Sequence, residues 1–260
     1  MAEPIVIDGH RAWLKQYGEG GRAVALGALT FVSRRMGLDA LRPPPHRGGD
    51  AARAIEARRL AELRSQDVNV PQVIGHGHAA LVLSDNGRSL ASCLREADDA
   101  GRDVLVARAL AAIAEAHRHG AYFGQPLPRN MTYDGHAIGF IDFEEDPLEV
   151  MDLEQAQARD WLMFGYGVAG YYGERLGVLQ GLLVRALGEE RAPVLAHAHA
   201  VTGRLRRLAR FGLRLGRSGR ALAHSILVIH AATTFGMLLV ATICVDWFVD
   251  GQLDILRPFA

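Results

Sequence analysis

Four side chains in this sequence are of the types that phosphoryl transfer uses: Lys15, Glu56, Asn130 and Asp142. An ammonium grips anionic phosphates, a carboxylate orients the ammonium, and Asn and Asp oxygens suit a magnesium ion. Composition singles out Lys15. The chain carries 29 basic residues, and Lys15 is the one lysine among them. Where arginine has taken over elsewhere, a surviving lysine points to a place that needs a compact point charge rather than a planar guanidinium. Context singles out Asp142. It ends the apolar run from His136 to Phe143, on the same side as Ile138 and Phe140. An apolar strand rarely delivers a carboxylate into a buried setting without a partner.

Each residue also has a plainer reading. Lys15 can be an edge-strand cation that deters pairing, Glu56 an exposed helix residue beside Arg59, and Asn130 the cap of a turn. His117 reads as a structural histidine packed under the loop that follows it.

These residues need elements to hold them. Ile5-Val6-Ile7 and Ala12 to Tyr17 read as strands joined at Asp8-Gly9, a favoured tight-hairpin pair. Gly18 to Gly21 breaks the second strand, and residues 23–38 read as a mostly apolar helix. Pro43-Pro44-Pro45 and Gly48-Gly49 make a stiff and then a flexible connector. Asp50 is placed to cap a helix over 51–65, with Glu56, Leu60 and Leu63 on one face. Strands are expected over Val68 to Gly75 and Ala79 to Leu83. Asp103 opens a helix through Ala116, whose Val106, Leu110, Ile113 and Ala114 form an apolar stripe. A Gly/Pro-rich loop over 120–130 leads into a hairpin, Met131 to Tyr133 and His136 to Phe143, and residues 152–188 return to helix.

In this order the landmarks resemble a family. Residues 1–160 are similar to atypical bacterial protein-kinase-like proteins, the lipopolysaccharide-core sugar kinases and RIO-type kinases among them. The resemblance is carried by Ala12-Trp-Leu-Lys15, the helix run Glu56 to Leu63, and Asn69-Val-Pro71 leading to Leu81-Val-Leu83. It continues through Ala116-His117-Arg-His-Gly120, Gly124-Gln125-Pro-Leu-Pro-Arg-Asn130 and Ile141-Asp142-Phe143-Glu144. It implies an α+β, two-lobed fold: an N-lobe over 1–84 with a helical insertion at 22–49, and a helical C-lobe over 85–221. It further implies ATP and Mg2+ as cofactors. Lys15 would grip the phosphates with Glu56 as its partner, Leu83 would lie at the adenine hinge, and Asn130 and Asp142 would hold the metal.

Two departures stand against an active enzyme. The family places a catalytic aspartate where this chain has Gln125, and an amide orients a hydroxyl without accepting its proton, which leaves open a base from elsewhere, such as Glu144 or Glu145. Only fourteen residues precede Lys15, which leaves no room for the strand pair and glycine-rich loop that cover phosphates in the family. Two functions therefore stay open. One is a Mg-ATP-dependent kinase acting on a lipid-linked sugar or another envelope-related hydroxyl, with Gln125 and Asp142 at the reacting centre. The other is a pseudokinase binding module for a protein partner.

The remaining composition narrows the setting. Formal net charge is zero, so no global field draws the chain to nucleic acid, and none is expected as a partner. Two cysteines without ligand spacing and histidines without a third ligand argue against a disulfide framework or a zinc site. Seven arginines lie between Arg204 and Arg220, and residues 225–245 carry no Asp, Glu, Lys or Arg. A helix of that length spans roughly 30 Å, so 222–260 is expected to form a membrane anchor, with lipid contact through 204–245. The protein would then lie on the cytoplasmic face of the inner membrane, or be cytoplasmic if 225–245 is a buried helix.

Overall fold

A computed structural model of the chain describes residues 2–18, 39–212, 223–234 and 237. The expected helix over 23–38 and most of the insertion at 22–49 lie outside the described residues.

The chain enters as an antiparallel hairpin, β1 (Ala2–Ile7) and β2 (His10–Gln16). Asp8 and Gly9 both take positive φ, +49° and +78°, the turn that matches right-handed strand twist. Alternation along β2 puts Trp13 and Lys15 on one face, and Tyr17 continues that face beyond the strand. A four-stranded sheet follows in the order β1-β2-β4-β3, with β3 at Val73–Gly77 and β4 at Ala80–Ser84. Lys15 lies opposite Leu81 and Trp13 opposite Leu83, so both leucines share the inner face with the lysine.

Helix α1 (Gly49–Ser65) lies against this sheet. Its buried stripe is Ala52, Ile55, Glu56, Arg59, Leu60 and Leu63, a helical spacing in which two charged residues occupy apolar positions. Asp50 does not cap the helix as expected. Gly48 is the N-cap, and the Asp50 carboxylate instead pairs with Arg53 and accepts the Ala79 N–H. The expected strand over Val68 to Gly75 is also shortened to β3. Pro71 lacks an N–H for a ladder, and Asn69 turns to the second sheet, accepting from Phe140 N at 2.9 Å and donating to Ile138 O at 3.2 Å.

That second sheet has the order β5-β6-β7, with β5 at Arg88–Ser89, β6 at Met131–Tyr133 and β7 at Ile138–Phe140. The rest is helical: α2 (Leu90–Glu96), α3 (Asp99–Arg118), α4 (Leu153–Ala169), α5 (Leu176–Leu187) and α6 (Ala192–Gly212). Helix α3 begins earlier than expected because Asp98, accepting from Gly101 N, is its N-cap; Asp103 lies inside the helix and pairs with Arg175. Its apolar stripe is buried as the spacing predicts. Helix α4 opens with a capping box between Asp152 and Gln155 and is buried on nearly every side, with Trp161 and Phe164 fully enclosed. One contiguous core runs from Leu60 and Leu81 through Met131 and Phe140 to Trp161 and Leu183.

Of the segment 225–245, expected to be a membrane span or a buried helix, residues 225–234 and 237 are described. Residues 223–234 are helical, and Val228, Ile229 and Ala232 are buried in the main core. A Cβ on Gly165 of α4 would lie 2.5 Å from Ile229 Cδ1, so this helix packs directly on α4. His199 and His230 stack at 4.4 Å between α6 and the same helix. These apolar residues cover protein, not lipid. No helix among the described residues is long and apolar enough to cross a membrane. Within 225–245, residues 235–236 and 238–245 lie outside the described residues, as do Arg214, Arg217 and Arg220.

Candidate active site

Lys15 is brought inward by β2 and Glu56 by the buried stripe of α1, and they meet at 2.7 Å between Nζ and Oε2. The plainer readings of both residues fail here, because Lys15 is 8% and Glu56 1% exposed. The Tyr17 hydroxyl donates to the same Glu56 oxygen at 2.6 Å. On its other side Lys15 Nζ lies 2.7 Å from Asp142 Oδ1 and 3.1 Å from Glu144 Oε1. Glu56, Asp142 and Glu144 thus place one oxygen each within 4.8 Å of one another around a single ammonium. Burial alone would lower the Lys15 pKa, but the three carboxylates outweigh it and hold it above its ordinary value. Burial pushes Glu56 upward against the pull of Lys15 and Tyr17. With one cation facing three carboxylates, the cluster carries an excess of negative charge.

Asp142 reaches this point by a break in the strand. After β7 ends at Phe140, Ile141 N donates to Asn130 O at 2.9 Å, and Asp142 takes φ +75°. A non-glycine residue in that region is uncommon and strained. The kink turns the carboxylate away from the β7 ladder and onto Lys15. Asn130 closes a 3-10 turn at Pro128–Asn130, and its amide donates to Gln125 O at 3.1 Å.

The loop carrying Gln125 is held by α4. Asp160, fully buried, accepts from Phe123 N at 2.7 Å and Gly124 N at 2.5 Å. Arg159 Nε donates to Gly124 O at 2.8 Å, and Gln157 donates to the carbonyls of His117 and Ala121. From α1, Arg59 donates to Tyr122 O at 2.7 Å. Gly124 has φ +84°, and a Cβ there would meet Pro147 Cγ at 2.6 Å, so the loop needs glycine at this point. Sequence reasoning missed Arg59, Gln157, Arg159 and Asp160. The available signal was polarity at positions where the helical period demands apolar side chains. His117 is structural, as its plainer reading has it: its ring is buried between Asp160 and Glu190.

Two cavities meet at these residues. The larger, about 440 Å³, is lined by Trp13, Lys15, Pro71 and Leu83 on the sheet side and by Thr132 and Ile141 below. The smaller, about 130 Å³, is lined by His46, Gln125, Arg129, Glu145 and Arg159. Asn130, Asp142 and Glu144 line both. All six sequence-singled residues (Lys15, Glu56, Leu83, Gln125, Asn130 and Asp142) therefore line one or other of two adjoining cavities. The sequence matches no protein-family model and no curated protein.

Proposed function

We propose that the chain is an atypical kinase-like phosphotransferase that binds Mg-ATP in the larger cavity and transfers the γ-phosphoryl group to a hydroxyl. The observation that carries this reading is Lys15 in the larger cavity, fixed by Glu56 on one side and facing Asp142, which lines both cavities, on the other. On this reading the four-stranded sheet with α1 is the N-lobe and the helical body is the C-lobe. Leu83 and Trp13 offer apolar surface to a purine, and Lys15 leaves Asp142 to meet the phosphates.

Asn130 and Asp142 fit a magnesium ion. Both offer hard oxygen donors to the cavities, and the net negative cluster around Lys15 favours a divalent cation. Bound magnesium would neutralise charge on the β- and γ-phosphates. The chain's own residues do the rest: Lys15 orients the phosphates, Glu56 keeps Lys15 pointing inward, and Gln125 faces the acceptor in the smaller cavity. The acceptor class that the family resemblance implies is a lipid-linked sugar or another envelope-related hydroxyl.

Gln125 favours a second reading, a catalytically inactive module that uses the same cavity for nucleotide-dependent binding, since an amide cannot take up a proton. Calorimetry of Mg-ATP binding tests the shared premise. Binding that requires magnesium and is lost in Asp142→Asn is expected; no binding at millimolar Mg-ATP would remove both nucleotide readings.

A further inference from the structure

The smaller cavity holds a carboxylate that the arrangement around Lys15 does not use. Asp142 and Glu144 are tied to the ammonium, but Glu145 turns the other way. Its Oε2 accepts from Gln125 Nε2 at 3.2 Å and its Oε1 lies 3.2 Å from His46 Nδ1. With the His46 proton on Nδ1, that second contact is an N–H donated to Glu145. Each oxygen then receives one donor and keeps acceptor capacity that faces the cavity.

From this geometry we infer that Glu145 is the proton acceptor for the attacking hydroxyl, with Gln125 and His46 as positioning residues. The inference rests on the nucleotide reading of the neighbouring cavity. In the reaction the acceptor O–H bond breaks and its proton passes to the Glu145 carboxylate. The freed oxygen bonds to the γ-phosphorus, and the bond from that phosphorus to the β,γ-bridging oxygen breaks, with ADP leaving on that electron pair. The wall residues Asn130 and Asp142 stand between Glu145 and the larger cavity, so a hydroxyl held by Glu145 faces the phosphate end of a nucleotide there.

Gln125 then has a physical reason. A carboxylate at 125 would sit against Glu145 as a like charge, and two such groups cannot both ionise comfortably at that separation. The amide removes the repulsion and supplies the donor that aims Glu145. His46 is delivered by the proline strap, which is pinned along the site. Arg159 Nη1 donates to Ala40 O and Arg42 O at 3.4 Å each, and Arg47 pairs with Glu149. Buried Arg159 also lines the cavity.

The test uses water as acceptor. Phosphate release from Mg-ATP is measured for the wild-type chain, Glu145→Gln, and the exchange variant Gln125→Asp with Glu145→Gln, with Mg-ATP affinity taken by calorimetry on each. Glu145→Gln is expected to slow release about 100-fold while affinity changes by about two-fold at most, and the exchange variant to recover about ten-fold by returning a carboxylate to the cavity. Undiminished release by Glu145→Gln overturns the assignment. So does a loss that the exchange leaves unrepaired in a variant that still binds Mg-ATP, since Glu145 would then act structurally. A wild-type chain that binds Mg-ATP but releases no phosphate overturns Glu145 as base and leaves the nucleotide site standing. A chain that does not bind Mg-ATP overturns the nucleotide reading and this inference with it.

Discussion

Lys15 serves structure and chemistry together, and the two can be separated by substitution. Glu56 is almost fully buried, and its cationic partner is Lys15. Lys15→Met keeps the stem and removes the charge, which strands a carboxylate in the core. Breaking a buried pair from one side costs about 3–5 kcal/mol, so urea denaturation is expected to show a loss of that order. Lys15→Met with Glu56→Gln removes both charges of the pair and should recover much of it, while nucleotide binding stays lost. Stability recovering together with binding would argue that the pair is only structural. Lys15→Arg is a further probe: a forked guanidinium cannot sit at the 2.7 Å contacts that a compact ammonium makes to Glu56 and Asp142 without displacing one of them.

At the scale of elements, helix α4 is the template of the site loop. Gln157, Arg159 and Asp160 lie within one turn and take up carbonyls and N–H groups from residues 117–124, while α1 contributes Arg59 to Tyr122 and Arg58 to Asp146 at 2.6 Å. The loop thereby joins the helix that holds Glu56 to the strand end that holds Asp142. Asp160→Asn keeps the shape but removes a charged acceptor from two buried N–H groups, a loss of about 1–3 kcal/mol. Hydrogen exchange is expected to speed up at Phe123 and Gly124 ahead of global unfolding; unchanged protection there would mean the loop is held without Asp160. The strap from Arg42 to Gly48 has no regular structure but is docked through the Arg42 carbonyl and Arg47. Its three prolines reduce the entropy lost on docking.

At the scale of the molecule, His117 and Glu190 couple the core to pH. Their side chains meet at 2.6 Å beneath Trp161, whose indole N–H also donates to Glu190. Burial would lower the His117 pKa, yet the hydrogen bonds to Asp160 and Glu190 hold it above the ordinary 6.5. Burial would raise Glu190, yet His117 holds it below the ordinary 4.5. A raised histidine stabilises fully below its unfolded pKa and loses that contribution as pH rises through its folded value. A lowered glutamate stabilises fully above its unfolded pKa and loses that contribution as pH falls through its folded value. The pair therefore contributes most between the two ordinary values, 4.5 and 6.5, and thermal unfolding should occur at lower temperature on either side of that window. His117→Gln should flatten the alkaline decline; a decline of the same steepness in that variant would place its origin elsewhere.

Local rules carried much of the framework. Asp8-Gly9 predicted a hairpin, the spacing of Glu56, Leu60 and Leu63 predicted one buried helix face, and Val106 to Ala114 predicted another, because turn chemistry and side-chain period are properties of adjacent residues. Composition marked Lys15 as the one lysine and the strand period marked Asp142, and the two meet in the structure. Local rules misplaced the caps: Asp50 and Asp103 have the right chemistry, but Ala79 and Arg175, distant in sequence, claim their carboxylates. Hydrophobicity alone also does not distinguish a lipid-facing surface from one that covers Gly165, where Ile229 packs. Only tertiary structure could join Gln125, Glu145 and His46, which come from a loop, a strand exit and a strap separated by up to 99 residues. Their pairing depends on how the strap crosses the helical body, and no spacing along the chain encodes that path.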